Sequence, residues 1–426
     1  MKWMVVASTR PEVIKVSPVL EALERRGIEH LFVTTGQHYD DALFGQFIRD
    51  LGLRDPDFNI QVGSGTQGGQ TGDGLKGLES LMLEESPGVV AAEGDTNSVL
   101  SAALAAVKLK IPFAHIEAGL RSFDRTMPEE INRILADHCS QVLFAPTELA
   151  ALNLLDEGIP PGRIHIVGNT IVDAVQQNIR RVRKKGPEDL PKEYLVLTLH
   201  RAENVDDPGR LGGILRGLSE AAMDIIFPVH PRTKRMLERD VEVPGNIKLM
   251  DPLGYLEFLT MLEGARAVLT DSGGVQEEAI CLDVPCITLR TTTERPETVE
   301  AGGNILAGVN PERIKETLAR VLRDGDLYQR MKSAKNPYGD GTTGEKIVKI
   351  TEEMAAEGTL GLSPPDLTAG YPKRRLVPVG PDLAGKRVGE AGLAIQRIIE
   401  EGRPRFPSRD LVLRQGQLME VLENWG

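Results

Sequence analysis

Cysteine is scarce in this chain. Its 426 residues include three, Cys139, Cys281 and Cys286, with no C-x-x-C pair. That argues against a disulfide scaffold or a structural zinc site and for a reducing cytoplasm. Long apolar runs are also lacking. Met4–Ala7 and Val89–Ala92 are strand-sized, far short of the ~20 residues that cross a bilayer. Met1–Val6 carries a single Lys ahead of a short run and reads as a first strand, not a signal peptide. Positive charge is in deficit, 50 Lys and Arg against 62 Asp and Glu, for a net charge of −12. Such a chain is a poor general binder of nucleic acid or anionic membrane. The seven histidines all lie between His30 and His230 without H-x-x-x-H spacing, so nothing favours a metal-dependent mechanism. No G-x-G-x-x-G follows the first strand, and no P-loop motif occurs. Both absences count against a nicotinamide enzyme and a P-loop NTPase.

What is present is ordinary for a globular protein: 41% hydrophobic and 26% charged residues. The length implies two to three domains. Short β-rich runs end in Gly, Asp or His turns and lead into amphipathic helices. Met4–Ala7, Leu31–Thr35, Val89–Ala92, Phe113–Ile116, Val142–Ala145 and Ile164–Val167 form a first series. After a breaker-rich hinge candidate at Gly186–Pro191, Leu195–Leu199, Ile225–Val229, Ala267–Thr270 and Cys286–Leu289 form a second. Strands alternating with helices imply right-handed βαβ units and parallel sheets. The expected fold is α/β: two Rossmann-like, doubly wound domains, residues 1–170 and 171–360, facing each other across a cleft. Residues 361–426 are broken by Pro, with Glu390–Glu401 and Leu411–Asn424 expected as short helices that pack on the body or on an oligomer neighbour.

The polar motifs fall at strand ends, where open α/β sheets bind ligands. Ser272-Gly273-Gly274 opens a helix, whose unpaired N–H groups and dipole suit an anion. The plainer reading is a tight turn capped by Ser272, and the anion site is favoured over it. Glu277 and Glu278 follow as sugar-hydroxyl acceptors. Arg10 and Lys15 begin the first helix and either stay solvated or converge on a diphosphate. Asp95 and Glu117 each follow a strand, and Glu129 begins a helix after Pro128. Asp95 as an N-cap and Glu129 as a first-turn residue are the plain structural readings. Brought together, three carboxylates repel and raise at least one pKa, as acid–base chemistry requires. His200 follows a strand in the second half, as phosphate donor, acid or structural residue. Asp55-Pro56-Asp57 and Asp324-Gly325-Asp326 read as turns.

Taken together these motifs resemble the non-hydrolysing UDP-N-acetylglucosamine 2-epimerase family. They run in family order over residues 1–350: Thr9-Arg10-Pro11-Glu12-Val13-Ile14-Lys15, Gly36-Gln37-His38-Tyr39-Asp40, Gly94-Asp95-Thr96, His115-Ile116-Glu117-Ala118-Gly119-Leu120-Arg121, Pro128-Glu129-Glu130, Gly168-Asn169-Thr170, His200-Arg201, Asp271–Glu278, Thr292–Glu297 and Asn336–Gly341. The resemblance implies a GT-B arrangement and interconversion of UDP-GlcNAc and UDP-ManNAc without NAD or metal, in a cytoplasmic homodimer. By position, Asp95, Glu117 and Glu129 match acid–base carboxylates, and His200 matches the cleft histidine. Arg10, Ser272, Gly273 and Gly274 match diphosphate contacts, and Lys15 and Arg295 other ligand contacts. Phe258 matches the uracil pocket and Glu278 the ribose. Ser8 stands where the family has Gly, Leu253 where a Gln is common, and Asp40 where bacterial members carry the Gln of a regulatory site. The resemblance therefore gives no ground for allosteric control by substrate. Rival readings are a hydrolysing enzyme releasing ManNAc, an epimerase for a related UDP-2-acetamido sugar, a GT-B glycosyltransferase and a non-catalytic sugar-nucleotide binder.

Overall fold

The computed structural model describes residues 1–36, 41–182, 190–229, 231–362 and 373–423. Gln37–Asp40, most of the hinge candidate and His230 lie outside the described residues. The chain forms two compact units. One comprises Met1–Asp40, Asp55–Asn169 and Thr343–Gly426, the other Asp41–Arg54 and Thr170–Thr342.

The first unit holds a parallel sheet of β1 (Trp3–Ala7), β2 (His30–Thr34), β3 (Phe58–Asn59), β4 (Val89–Glu93), β5 (Phe113–Ile116), β6 (Val142–Ala145) and β7 (Ile164–Ile166), in the order β3-β2-β1-β4-β5-β6-β7. Helices cover both faces, so β1, β4, β5 and β6 are buried along their whole length and read as unbroken apolar runs. The chain winds outward from β1 to β3 and then crosses back to β4. That reversal leaves a crevice past the carboxyl ends of β1 and β4, where Ser8–Arg10 and Glu93–Thr96 emerge.

The second unit repeats the plan with β8 (Leu195–Thr198), β9 (Ile225–Pro228), β10 (Ile247–Met250), β11 (Ala267–Thr270), β12 (Cys286–Thr288) and β13 (Asn304–Leu306), ordered β10-β9-β8-β11-β12-β13. Here the reversal lies between β8 and β11, whose ends carry His200-Arg201 and Asp271–Gly274. The two doubly wound α/β halves are thus as expected. The short strands β3, β10 and β13 had no clear apolar run to announce them.

The units are not contiguous stretches of chain, in contrast to the division at residues 170 and 360. The Arg10–Arg25 helix starts at a capping box, with Thr9 accepting from Glu12 N and the Glu12 carboxylate reaching back to Thr9 N. Pro18 inside it has no N–H for the Ile14 carbonyl, which Ser17 Oγ satisfies at 2.8 Å. The Thr343–Ala356 helix returns to pack here. A Cβ on Gly344 would sit 2.5 Å from the Pro18 carbonyl oxygen, so only glycine permits this approach. Trp3 Nε1 donates to Glu352 at 3.1 Å, and Arg25 and Arg26 pair with Glu345. Conversely the Asp41–Asp50 helix belongs to the second unit, where Arg181 donates to the Leu51 carbonyl.

The C-terminal extension is β structure, not the two expected helices. Strands β14 (Lys373–Pro378), β15 (Ile395–Glu400), β16 (Arg403–Arg405) and β17 (Leu418–Glu423) pair antiparallel in the order β14-β17-β15-β16. They enclose a small core of Val379, Val388, Ile395, Ile398, Leu413, Met419 and Val421. The misreading has a physical cause. The β15–β17 register shifts between Ile395 and Arg397, a bulge that turns both Ile395 and Ile398 inward and mimics helical spacing. The module seats on the first unit: Phe406 enters the cluster of Leu120, Leu143, Ala150 and Leu154. Arg405 pairs with Glu148 at 2.9 Å and Arg397 with Asp156 at 2.8 Å. These ion pairs are largely exposed and contribute little. The buried Phe406 ring contributes most, about 2 kcal/mol by area. No described helix is long and apolar enough to cross a membrane.

Candidate active site

In the first unit the register of β4 and β5 pairs Glu93 with Ile116, so Glu93 and the next residue on β5, Glu117, leave the sheet side by side. Lys15, in the second turn of its helix, reaches both: its Nζ lies 3.2 Å from Glu93 Oε1 and pairs with Glu117 Oε2. Asn169 Nδ2 donates to the same Glu117 oxygen at 2.9 Å. Glu117 is held at φ +66, a left-handed conformation that costs a non-glycine residue about 1–3 kcal/mol. The surroundings enforce it. Gly119, at φ +83, lies so close to the Glu148–Asp156 helix that a Cβ would come within 2.2 Å of the Ala150 carbonyl. Asn153 Nδ2 donates to the Gly119 carbonyl at 2.9 Å.

Behind this turn lies a buried polar chain. His115 contacts Asp137 at 2.6 Å through Nδ1 and the Gly94 carbonyl at 2.8 Å through Nε2, and Arg121 Nη2 donates to Asp137 at 2.7 Å. Burial alone would lower the imidazole pKa, but Asp137 outweighs it and the net shift is upward. Burial alone would raise Asp137, but His115 and Arg121 outweigh it and hold the carboxylate below its usual range. The chain ties the turn after β4 to the turn after β5, which keeps Asp95 and Glu117 in a constant relation.

Asp95 pairs with Arg133, whose Nη1 donates to Glu130 at 2.8 Å, while Asn132 Nδ2 holds the Asp95 carbonyl at 3.0 Å. Glu130 also accepts from Ser122 N at 3.0 Å and Phe123 N at 2.9 Å. It is the third residue of its helix, the position from which a Glu reaches back over the preceding turn. Glu129, one place earlier, is exposed, as is Arg10. Burial pushes up Glu12 and, much further, Glu93, neither of which stood out as a candidate from its local sequence. Ser8 is no obstacle: its hydroxyl donates to Glu12 at 2.6 Å.

In the second unit Ser272 caps the Gly273–Cys281 helix. A Cβ on Gly273 would meet nothing within 4 Å, and one on Gly274 only Ser272 Oγ at 4.0 Å. Internal packing therefore demands neither glycine, and both leave the helix end open to approach. Asp271, fully buried, accepts from His200 N, Arg201 N and Asn204 Nδ2 at 3.0–3.1 Å and contacts His200 Nδ1 at 3.0 Å. Burial would raise it, but His200 and these donors outweigh that and hold it low. The His200 ring itself stays half exposed. Glu278 is buried beside Tyr255, whose phenol is pushed well up by burial and by Glu278. Phe258 and Leu253 lie half-buried against the core cluster that includes Met261 and Leu262. Arg295, expected at a ligand, has its guanidinium on the buried Glu277. Asp57 accepts from Phe32 N and Asp324 caps the Gly325–Lys332 helix, both structural as read. Among the described residues no cluster of His, Cys, Asp and Glu is arranged to hold a metal.

The model of the UDP-N-acetylglucosamine 2-epimerase family matches residues 21–352. The chain belongs to that family. It is 49% identical over 366 residues to the UDP-N-acetylglucosamine 2-epimerase of Methanocaldococcus jannaschii, spanning 82% of this chain and 98% of that one. It is 41% identical over 341 residues to the UDP-2,3-diacetamido-2,3-dideoxy-D-glucuronate 2-epimerase of Pseudomonas aeruginosa, spanning 77% and 96%. The crystal structure of the Methanocaldococcus jannaschii enzyme in complex with UDP-GlcNAc and UDP superposes with a TM-score of 0.74 at 48% identity, covering 83% of this chain and 100% of that one. The Neisseria meningitidis UDP-GlcNAc 2-epimerase bound to UDP-GlcNAc gives 0.75 at 31% identity, covering 83% and 100%.

In this member of the epimerase family the expected site residues are held by others around them. Glu93, Arg133, Asn169, the His115–Asp137 pair and Asp271 were not singled out as site residues. For Glu130 a signal existed, the third helical position. For Glu93 none did, because a Glu closing an apolar strand looks like the start of a turn.

Proposed function

We propose that this chain interconverts UDP-GlcNAc and UDP-ManNAc by anti elimination and re-addition of UDP. The supporting observation is the delivery of Asp95 and Glu117 from adjacent parallel strands, each carboxylate with its own cation, Arg133 and Lys15. One carboxylate removes the C2 proton as the C1–O bond breaks. The C–H electron pair becomes the C1–C2 double bond of 2-acetamidoglucal, and UDP departs with the glycosidic electron pair. On return a UDP oxygen attacks C1 while C2 takes a proton on its opposite face. A positioned base contributes ~10²–10⁴-fold. Glu129 is the third acid–base candidate and His200 the histidine that donates to the leaving group. Arg10 with Ser272, Gly273 and Gly274 holds the diphosphate, fixed donors being most effective where charge develops. Lys15 and Arg295 support the ligand, Phe258 flanks the uracil and Glu278 takes the ribose. No redox cofactor enters, since elimination and addition conserve oxidation state.

The test is incubation with UDP-GlcNAc in D₂O, followed by NMR at C2. Deuterium appears at C2 of both UDP-sugars if the reading holds. Free ManNAc as the main product, or no exchange, overturns it. The likeness to the Pseudomonas aeruginosa diacetamido-glucuronate epimerase supports a second reading, a related UDP-2-acetamido sugar. Faster exchange with that uronate than with UDP-GlcNAc would select it.

A further inference from the structure

Two carboxylates and one ammonium share a nearly dry pocket at the end of β4. Glu93 is 2% exposed, and the Lys15 and Glu117 side chains are scarcely more open. If both glutamates were ionised the trio would carry a net negative charge away from solvent. Glu12, also buried, faces the same space from the Lys15 helix. Buried charge without a partner neutralises itself. The donors are divided unequally. Glu117 receives Lys15 and Asn169, and Glu93 receives the longer contact to Lys15. Glu12 is furnished separately, by Ser8, Thr9 and Thr96.

We propose that Glu93 is a positioning residue for Glu117: a buried carboxyl that carries the proton of the pair, so that Glu117 is the ionised member and Lys15 serves both. Glu93 touches no substrate. It sets the charge of the group that does. Burial pushes its carboxyl well above the ordinary range, Lys15 opposes that, and Glu117 and Glu12 add to it. Below this raised pKa the pair holds one negative charge. Above it both carboxylates compete for Lys15, and turnover falls on the alkaline side.

The inference rests on the epimerase reading, so the experiment has one arm that does not use activity. Glu93→Gln keeps the shape and the hydrogen bonding of the protonated acid but cannot ionise. The kcat–pH profile of the variant is expected to lose its alkaline decline or move it up by about one pH unit, with kcat at neutral pH reduced about threefold. A fall of tenfold or more with the profile unmoved would mean that Glu93 works as an ionised counter-ion to Lys15, and would overturn the proposal. The second arm is the infrared spectrum at neutral pH. A protonated-carboxyl band should appear in the difference spectrum of wild type minus Glu93→Gln, and it should remain when the same pair is compared in a Glu12→Gln background, where the other raised carboxyl is gone. No such band in that difference spectrum would overturn the proposal even if the variant were inactive. Wild-type protein that shows the band but no exchange at C2 would instead sink the epimerase reading and leave Glu93 as assigned.

Discussion

The carboxyl ends of the two sheets are built to opposite plans. In the first unit the charged side chains are paired with one another: Lys15 with Glu93 and Glu117, Arg133 with Asp95 and Glu130. In the second unit the charges are drawn inward to anchor loops. Asp271 holds the backbone at His200 and Arg201, and Glu294 holds Arg201 and Arg290. That arrangement leaves an open helix end at Ser272–Gly274. A plan of opposed charges tunes proton affinities, which is what a reaction centre needs. A plan of anchored loops around exposed N–H groups suits the holding of an anion. On the proposed function, the same doubly wound topology would serve the chemistry in one half and the grip in the other.

The largest expected effect tests this division directly. Asp95→Asn should reduce turnover about a thousandfold while UDP affinity, measured by calorimetry, stays at the wild-type value. Turnover at the wild-type rate would remove Asp95 from the mechanism, and a parallel loss of UDP binding would erase the division between the halves. Smaller in size and opposite in kind is Gly273→Ala. Nothing in the fold stands in the way of the added methyl, so unfolding in urea should show the variant equal or more stable by about 0.5 kcal/mol. UDP affinity should drop about tenfold, ~1.4 kcal/mol. Unchanged affinity would mean that the helix end is open for no ligand.

The smallest effect sharpens the contrast through pH. Glu294 would be raised by burial, but Arg290 and Arg201 outweigh that and bring it to about 2, against an ordinary value of 4.5. A lowered carboxylate contributes stability that is complete above the ordinary value and is lost as pH falls through the lowered one. Glu93 and Glu12 are raised, so their contribution is complete at low pH and drains away as pH rises through their folded values. In urea titrations Glu294→Gln should flatten the loss of stability between about pH 4.5 and 2, and Glu93→Gln should flatten the loss on the alkaline side. Effects of the same sign in both variants would contradict the opposed plans.

Much of the fold was legible because its central strands are buried on both faces. An apolar run such as Val142–Ala145 or Ala267–Thr270, closed by a polar or Pro turn, admits few other readings. Strands with little apolar content escaped, as did the returning Thr343–Ala356 helix. Its attachment to the first unit depends on Gly344 meeting Pro18, more than three hundred residues away in the chain. The extension misled because its bulge gives Ile395 and Ile398 a helical spacing.

By itself the sequence determined the alternation of strand and helix, the strand-end turns that carry Asp95, Glu117 and Ser272–Gly274, and the family. These are local properties, readable from residue type and spacing. The tertiary structure decided which carboxylates are buried, which cations they share and how protons are distributed among them. Glu93, Glu117 and Lys15 meet only because parallel pairing sets two strand ends side by side beneath one helix. The free energy of a charge depends on what surrounds it after folding, and a linear order of residues does not contain those surroundings.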